Sequence, residues 1–228
     1  MFQRTARFPN RREAGAELAS KLVHYAGRRD TVVLALPRGG VPVAFEVARA
    51  LDAPLDVFLV RKLGVPGHTE LAMGAIASGG VRVLNDEVIR WYAIPDAVIN
   101  EVARQEHAEL ERREREYRDG RAPIDLHERI AILVDDGLAT GSSMRAAVQA
   151  ARARAPARVV VAVPVGAAST CREFSSIADE IVCARMPEPF SAVGQWYEDF
   201  SQTSDEEVRA LLRDDRIRAA EAARYEGR

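Results

Sequence analysis

Ala131-Ile132-Leu133-Val134-Asp135-Asp136-Gly137-Leu138-Ala139-Thr140-Gly141-Ser142-Ser143 decides how this chain reads. The apolar run at its start suits a strand covered on both faces, as in a parallel sheet. Two acids end the strand, small residues follow, and a helix is predicted from Met144 to Arg154. Small residues let backbone N–H groups and hydroxyls close around an oxyanion. The start of a helix adds unpaired N–H groups and the positive end of its dipole. The adjacent acids accept hydrogen bonds from a vicinal diol. A phosphate seat beside a diol seat matches a sugar phosphate. The plain alternative is a strand ending in an acidic cap before a Ser/Thr-rich helix start.

The 228 residues, 47% of them apolar, suffice for the core of one large domain. A net charge of −2 without a long basic block gives no sign of a nucleic-acid surface. Met1 to Pro9 lacks the apolar run of a secretion signal, and no stretch approaches membrane-spanning length, so a cytoplasmic protein without membrane contact is expected. Cys171 and Cys183 lack metal-ligand spacing. Two reduced core thiols are expected, neither a disulfide nor a zinc site.

Working outward, Arg11 to Ala26 carries a helical stripe at Ala14, Leu18, Leu22 and Tyr25. Thr31 to Leu36 and Leu55 to Val60 read as strands around a helix from Gly40 to Leu51, with Pro42 in its first turn. The rhythm resumes with Ile130 to Val134, the helix after Gly141, a strand from Arg158 to Val163, a helix from Ala167 to Ser176 and a strand from Glu180 to Ala184. Such alternation predicts an α/β fold: an open, mostly parallel sheet with helices on both faces and ligands at the C-terminal strand ends. The expected single domain has its core over residues 11–185, an insertion over 86–120, a segment over 186–203 and a peripheral amphipathic helix over 205–225. Arg61 to Ser78, followed by the Gly79-Gly80 turn, fits either a hairpin or a mobile flap. Pro95 to Asp119 is a charged helix with a narrow seam at Ala103, Leu110 and Tyr117, joined at one end by Ile99 and Val102. It suits a partner helix in a homodimer, or a solvated helix stitched by Glu/Arg pairs.

The acidic segment resembles the 5-phosphoribosyl 1-diphosphate (PRPP) motif of the type I phosphoribosyltransferases. Gly137 departs from it, standing where the family usually carries an aliphatic residue, and a looser loop is expected there. The resemblance makes Asp135 and Asp136 the ribose- and metal-facing acids, and Leu138, Ala139, Thr140, Gly141, Ser142 and Ser143 the 5-phosphate loop. Leu36-Pro37-Arg38-Gly39-Gly40 resembles the pyrophosphate loop, with a non-proline cis peptide expected at Pro37–Arg38, so Arg38, Gly39 and Gly40 would meet the diphosphate. Arg61 and Lys62, before Leu63-Gly64-Val65-Pro66-Gly67-His68, are similar to the flexible catalytic loop. Their cations would meet the leaving group, with His68 as a loop proton donor. Phe190 to Phe200 resembles the family's hood, with Phe190, Trp196 and Tyr197 as base-stacking rings; the same rings would also serve as a cap on the sheet edge.

The implied reaction is Mg²⁺-dependent displacement of pyrophosphate from PRPP by a nitrogen acceptor, a purine favoured. It needs no covalent nucleophile. Two other readings use the same residues: a PRPP- or nucleotide-sensing regulator, and a sugar-phosphate hydrolase with an Asp nucleophile.

Overall fold

The computed structural model describes residues 6–226. The elements run α1 (Arg11–Lys21), β1 (Thr31–Ala35), α2 (Gly40–Leu51) and β2 (Leu55–Val57). An insertion follows: β3 (Val60–Val65), β4 (His68–Ala77), β5 (Val81–Leu84), α3 (Asp86–Trp91) and α4 (Asp96–Arg118). Next come β6 (Ile130–Val134), α5 (Ser142–Arg152), β7 (Arg158–Val165), α6 (Ala168–Phe174), β8 (Glu180–Arg185) and α7 (Asp205–Glu226).

Five strands pair in the order β2-β1-β6-β7-β8, every pair parallel. Strand alternation divides the central side chains between two cores. Val33, Ala35, Ile132 and Val134 pack with residues of α1, α2 and α7, while Val32, Leu34, Ala131 and Leu133 pack with α5 and α6. This is the expected doubly covered sheet. From β1 the chain crosses outward to β2, and from β6 it crosses the other way to β7 and β8. The reversal therefore lies between β1 and β6, where ligands enter such sheets. Ala35 is in register with Val134, and Leu36 N donates to Val134 O at 2.9 Å, so the two following loops leave side by side.

The second strand is shorter than expected. It ends at Val57, and Val60 opens a separate antiparallel sheet, β3-β4-β5. The hinge is made by Leu59 and Ser78: Leu59 N donates to Ser78 Oγ at 3.0 Å and Ser78 N to Leu59 O at 2.9 Å. Phe58 and Leu59 are buried, so the apolar run does not betray the change of partner. The stretch from Arg61 thus takes the hairpin form of the two expected. Gly79 and Gly80 turn it at φ 83° and 76°, which a side chain would resist.

The seam of α4 is covered within the chain. Ile99, Ala103, Leu110 and Tyr117 are buried in the main core, against β3, β4 and α7, so the face expected for a dimer partner is already occupied. Arg118 anchors the far end of α4. It is 4% exposed, donates to Asp56 at 2.9 Å and to Val57 O at 2.6 Å, and pairs with Glu114. The first half of α7 is likewise not peripheral, since Val208, Leu211 and Leu212 join the same core. Cys171 and Cys183 form a disulfide where free thiols were expected, because α6 turns back and sets Cys171 beside β8. Among the described residues no helix is long and apolar enough to cross a membrane.

Leu110→Ala should cost about 2–4 kcal/mol, the usual range for a buried leucine. Chemical denaturation should show that loss equally at low and high protein concentration. A loss that grew on dilution would place the seam at an interface between copies instead.

Candidate functional site

Asp135 and Asp136 stand at the end of β6, and the loop after β1 presses directly against them. A Cβ at Gly39 would collide with the Asp136 carboxylate, and one at Gly40 would lie 2.7 Å from Val134 O and 3.0 Å from Asp135 Cα. The glycines are needed for this close approach. Pro37–Arg38 is a cis peptide, as expected.

The two acids are held differently. Asp136 N donates to Asp135 Oδ1 at 2.8 Å. Asp136 Oδ2 accepts from Arg11 Nε at 2.9 Å, and Nη2 of the same guanidinium forms an ion pair with it at 2.9 Å. Among the described residues, no protein hydrogen bond engages Asp135 Oδ2 or Asp136 Oδ1. Each acid thus keeps one oxygen without a protein partner among them. Burial, then the neighbouring Asp136 charge, pushes the Asp135 carboxyl well above the usual carboxylate range. Burial also raises Asp136, and Arg11 opposes that rise.

The loop after the acids docks on β7. Leu138 N donates to Val165 O at 2.9 Å, and Thr170 Oγ1 donates to Ala139 O at 2.6 Å. Gly141 sits at φ 72° as the residue before α5, and a Cβ there would lie 2.5 Å from Phe174. No side chain caps α5, so its first-turn amides carry no side-chain acceptor. Thr140 and Ser142 are exposed beside them, with their hydroxyls 3.3 Å apart. This is an anion-binding arrangement within the same loop as the acids.

The expected cations divide. Successive side chains of a strand point to opposite faces. Arg61 pairs with Glu106 of α4, its Nε 2.6 Å from Glu106 Oε2. Lys62 lines a cleft of about 460 Å³ between the antiparallel sheet and α5, together with Ser142, Arg145 and Gln149. Of these cations Lys62 lines the cleft beside Ser142, at the start of α5. The Arg38 guanidinium lies 3.8 Å from Asp205 Oδ1, an atom that also accepts from Tyr117 Oη. His68 is exposed at the tip of the β3–β4 turn, 6.0 Å from the Tyr92 ring. It is the first residue of β4, at the end of the turn that joins the two strands.

The segment after β8 folds over the acids. Phe190 and Trp196 stack on each other at 6.3 Å between centroids. Tyr197 is 3% exposed and donates through Oη to Asp136 O at 2.6 Å. It braces the acid loop and offers no open face for stacking, contrary to its expected role as a hood ring. Gly137 acquires its reason here: a Cβ would lie 2.7 Å from Val193 Cγ2, so the hood fills the volume that an aliphatic residue would claim. The loop is packed, not loosened.

Sequence reasoning missed Arg11 and the segment before it. Phe8 N donates to Trp196 O and Glu198 N to Phe8 O, both at 2.8 Å, strapping the hood to the N-terminal segment. The available signal was Asn10, whose side chain accepts from Arg12 N and Glu13 N and so fixes Arg11 at the first helical position.

Residues 6–191 match the phosphoribosyl transferase domain family, and the chain belongs to it. It is 53% identical over 205 residues to proteins from two strains of Mycobacterium tuberculosis whose names class them, provisionally, as phosphoribosyl transferases. That match covers 90% of this chain and 46% of each of those proteins, so the chain spans about half their length. A crystal structure of a protein from Thermus thermophilus is also similar, at 44% identity with a TM-score of 0.82, covering 90% of this chain and 97% of that one.

Two outcomes follow from this packing. Gly137→Val should cost about 1–3 kcal/mol by overpacking, and Val193→Ala added to it should return part of that loss in thermal melts. Asp135→Asn keeps the acceptor for Asp136 N and removes the repelled charge. A raised folded-state pKa means stability present in acid and lost as pH rises through the folded value. Asp135→Asn should therefore melt ~2–4 °C higher than the parent near neutral pH, a gain of about 1 kcal/mol, and the difference should shrink as the pH is lowered.

Proposed function

We propose that this chain is a Mg²⁺-assisted phosphoribosyltransferase. It moves the 5-phosphoribosyl group of PRPP to a ring nitrogen of a planar acceptor, a purine favoured, and releases pyrophosphate. The C1–O bond to the diphosphate breaks as the C1–N bond forms, and the acceptor nitrogen gives up its proton. The observation that supports this reading best is the meeting of Gly39 and Gly40 with Asp135 and Asp136 beside the uncapped start of α5.

In this reading Asp135 Oδ2 and Asp136 Oδ1 orient the ribose hydroxyls. The amides and hydroxyls of residues 139–143 hold the 5-phosphate. The backbone of Arg38 and Gly39 receives the diphosphate, Gly40 N being held by Leu36 O at 3.1 Å and Gly40 serving by its lack of a side chain, and Lys62 supplies a cation from the cleft. Phe190 and Trp196 form a half-buried stacked pair in the hood and give it its affinity for a planar ring. Among the described residues no group of three or more His, Cys, Asp or Glu side chains could cage a metal. Two carboxylates nonetheless fit Mg²⁺, which retains water and takes other oxygens from substrate phosphates. Bound there, it would neutralise charge growing on the leaving diphosphate.

One observation favours non-catalytic binding of PRPP: Arg38 and Arg61, the cations expected for the leaving group, are engaged with Asp205 and Glu106. A pyrophosphate-release assay with PRPP, Mg²⁺ and a panel of bases separates the readings. Acceptor-dependent release is expected, falling by about 10²-fold or more in Asp135→Asn/Asp136→Asn. PRPP binding without release from any acceptor would favour the sensor, and absence of both would remove PRPP from consideration.

A further inference from the structure

Arg11 makes more connections at the site than its place at a helix start requires. Its Nε and Nη2 hold Asp136 Oδ2, and its Nη1 donates to Ser201 O at 2.7 Å. The guanidinium also lies 4.0 Å from the centre of the Phe200 ring and 5.9 Å from that of Tyr197. With a side chain only 11% exposed, it is a largely desolvated cation shared by an acid and by the end of the hood. An ordinary surface ion pair needs none of this. A planar fork spends different N–H groups on different partners, which a lysine cannot do.

The partners matter more than the bond count. Asp136 is one of the acids assigned above to the ribose, while Phe200 and Ser201 belong to the segment that carries Trp196. A Cβ at Gly194 would lie 2.8 Å from Phe200, so Phe200 packs back onto the turn Val193–Trp196. A path of contacts therefore runs from the Asp136 carboxylate through Arg11 and Phe200 to Gly194, in the short turn that ends at Trp196.

We propose that Arg11 is a positioning residue that couples the hood to the ribose-binding acids, so that a change in what Asp136 holds is transmitted to the acceptor side. This rests on the site assignment given under the proposed function. The exchange is local. When a diol or cation draws Asp136 away from the guanidinium, the fork keeps its hold on Ser201 and Phe200 and carries the hood with it. Acceptor-side and sugar-side binding are then linked in free energy through one side chain.

Trp196 supplies the readout. The chain has two tryptophans, and Trp91 is 84% exposed on α3, away from this path, so Trp91→Phe isolates the hood signal. In that background, PRPP with Mg²⁺ is titrated while Trp196 emission is followed, and calorimetry measures binding separately. The parent is expected to bind and to change its Trp196 emission. Arg11→Met should still bind by calorimetry, with most of the emission change lost. Arg11→Lys restores the charge without the fork, so its response should stay depressed; full recovery would overturn the bridging role. Equal responses in the parent and Arg11→Met, or binding by the parent without any response, would overturn the coupling and leave the transferase reading intact. Failure of the parent to bind at all would defeat that reading itself, and the coupling with it. Should Arg11→Met not fold, Phe200→Ala tests the same link at a partly exposed position, and an undiminished response there would count against it.

Discussion

Two carboxylates on adjacent residues, both withdrawn from bulk water, repel each other, and the fold around them is arranged to contain that repulsion. Burial raises the cost of charge on each, and their proximity raises it further for Asp135. The containment is asymmetric. Asp136 receives the Arg11 guanidinium, and Asp135 receives a backbone N–H. The pair thus stays short of full neutralisation, with one oxygen of each acid open. A site that had satisfied every oxygen internally would be more stable and would have nothing left for a diol. Retaining strained charge where a ligand binds is a familiar exchange of stability for function.

The closeness of the first loop follows from the same constraint. β1 and β6 are neighbours in register, and the chain departs in opposite directions from them, so their loops must open away from one another yet start in contact. Gly39 and Gly40 permit the contact because no Cβ intervenes. Gly137 solves the corresponding problem on the other side. There the hood supplies Val193 in place of a side chain on the loop, so the acid loop and the hood share one packed interface. A change on either side of that interface is felt by the other.

What the sequence made legible was local. The β6 strand, its acids, the small-residue loop and α5 lie within two dozen residues, and each element's pattern points the same way. The glycine pair after β1 and the cis peptide at Pro37–Arg38 were accessible for that reason too. What escaped depends on distant residues meeting. Arg11 and Asp136 are 125 positions apart, and nothing in the periodicity of α1 marks its first residue as a site residue. Tyr197 looked like a stacking ring by composition, and became a brace because Phe8, Ala14 and Val165 bury it. The α4 seam was read correctly as apolar but assigned to the wrong neighbour, since a stripe says that a face is covered and not by what. The disulfide needed the return of α6 onto β8, which spacing alone does not reveal.

Arg61 and Lys62 divide between two faces of one strand. Adjacent residues of an ordered strand cannot both address one ligand, and these two face α4 and α5 respectively. A mobile loop could bring both cations to a departing diphosphate; a strand paired from Val60 to Val65 brings one. Arg61 instead clamps the antiparallel sheet to α4, whose far end is locked by Arg118 to Asp56 on β2. The insertion is therefore a wall that carries a single lysine, Lys62, into the cleft beside α5. Under the proposed function, charge neutralisation on the leaving group would then come mainly from the backbone after β1, from Lys62 and from a metal brought with the substrate.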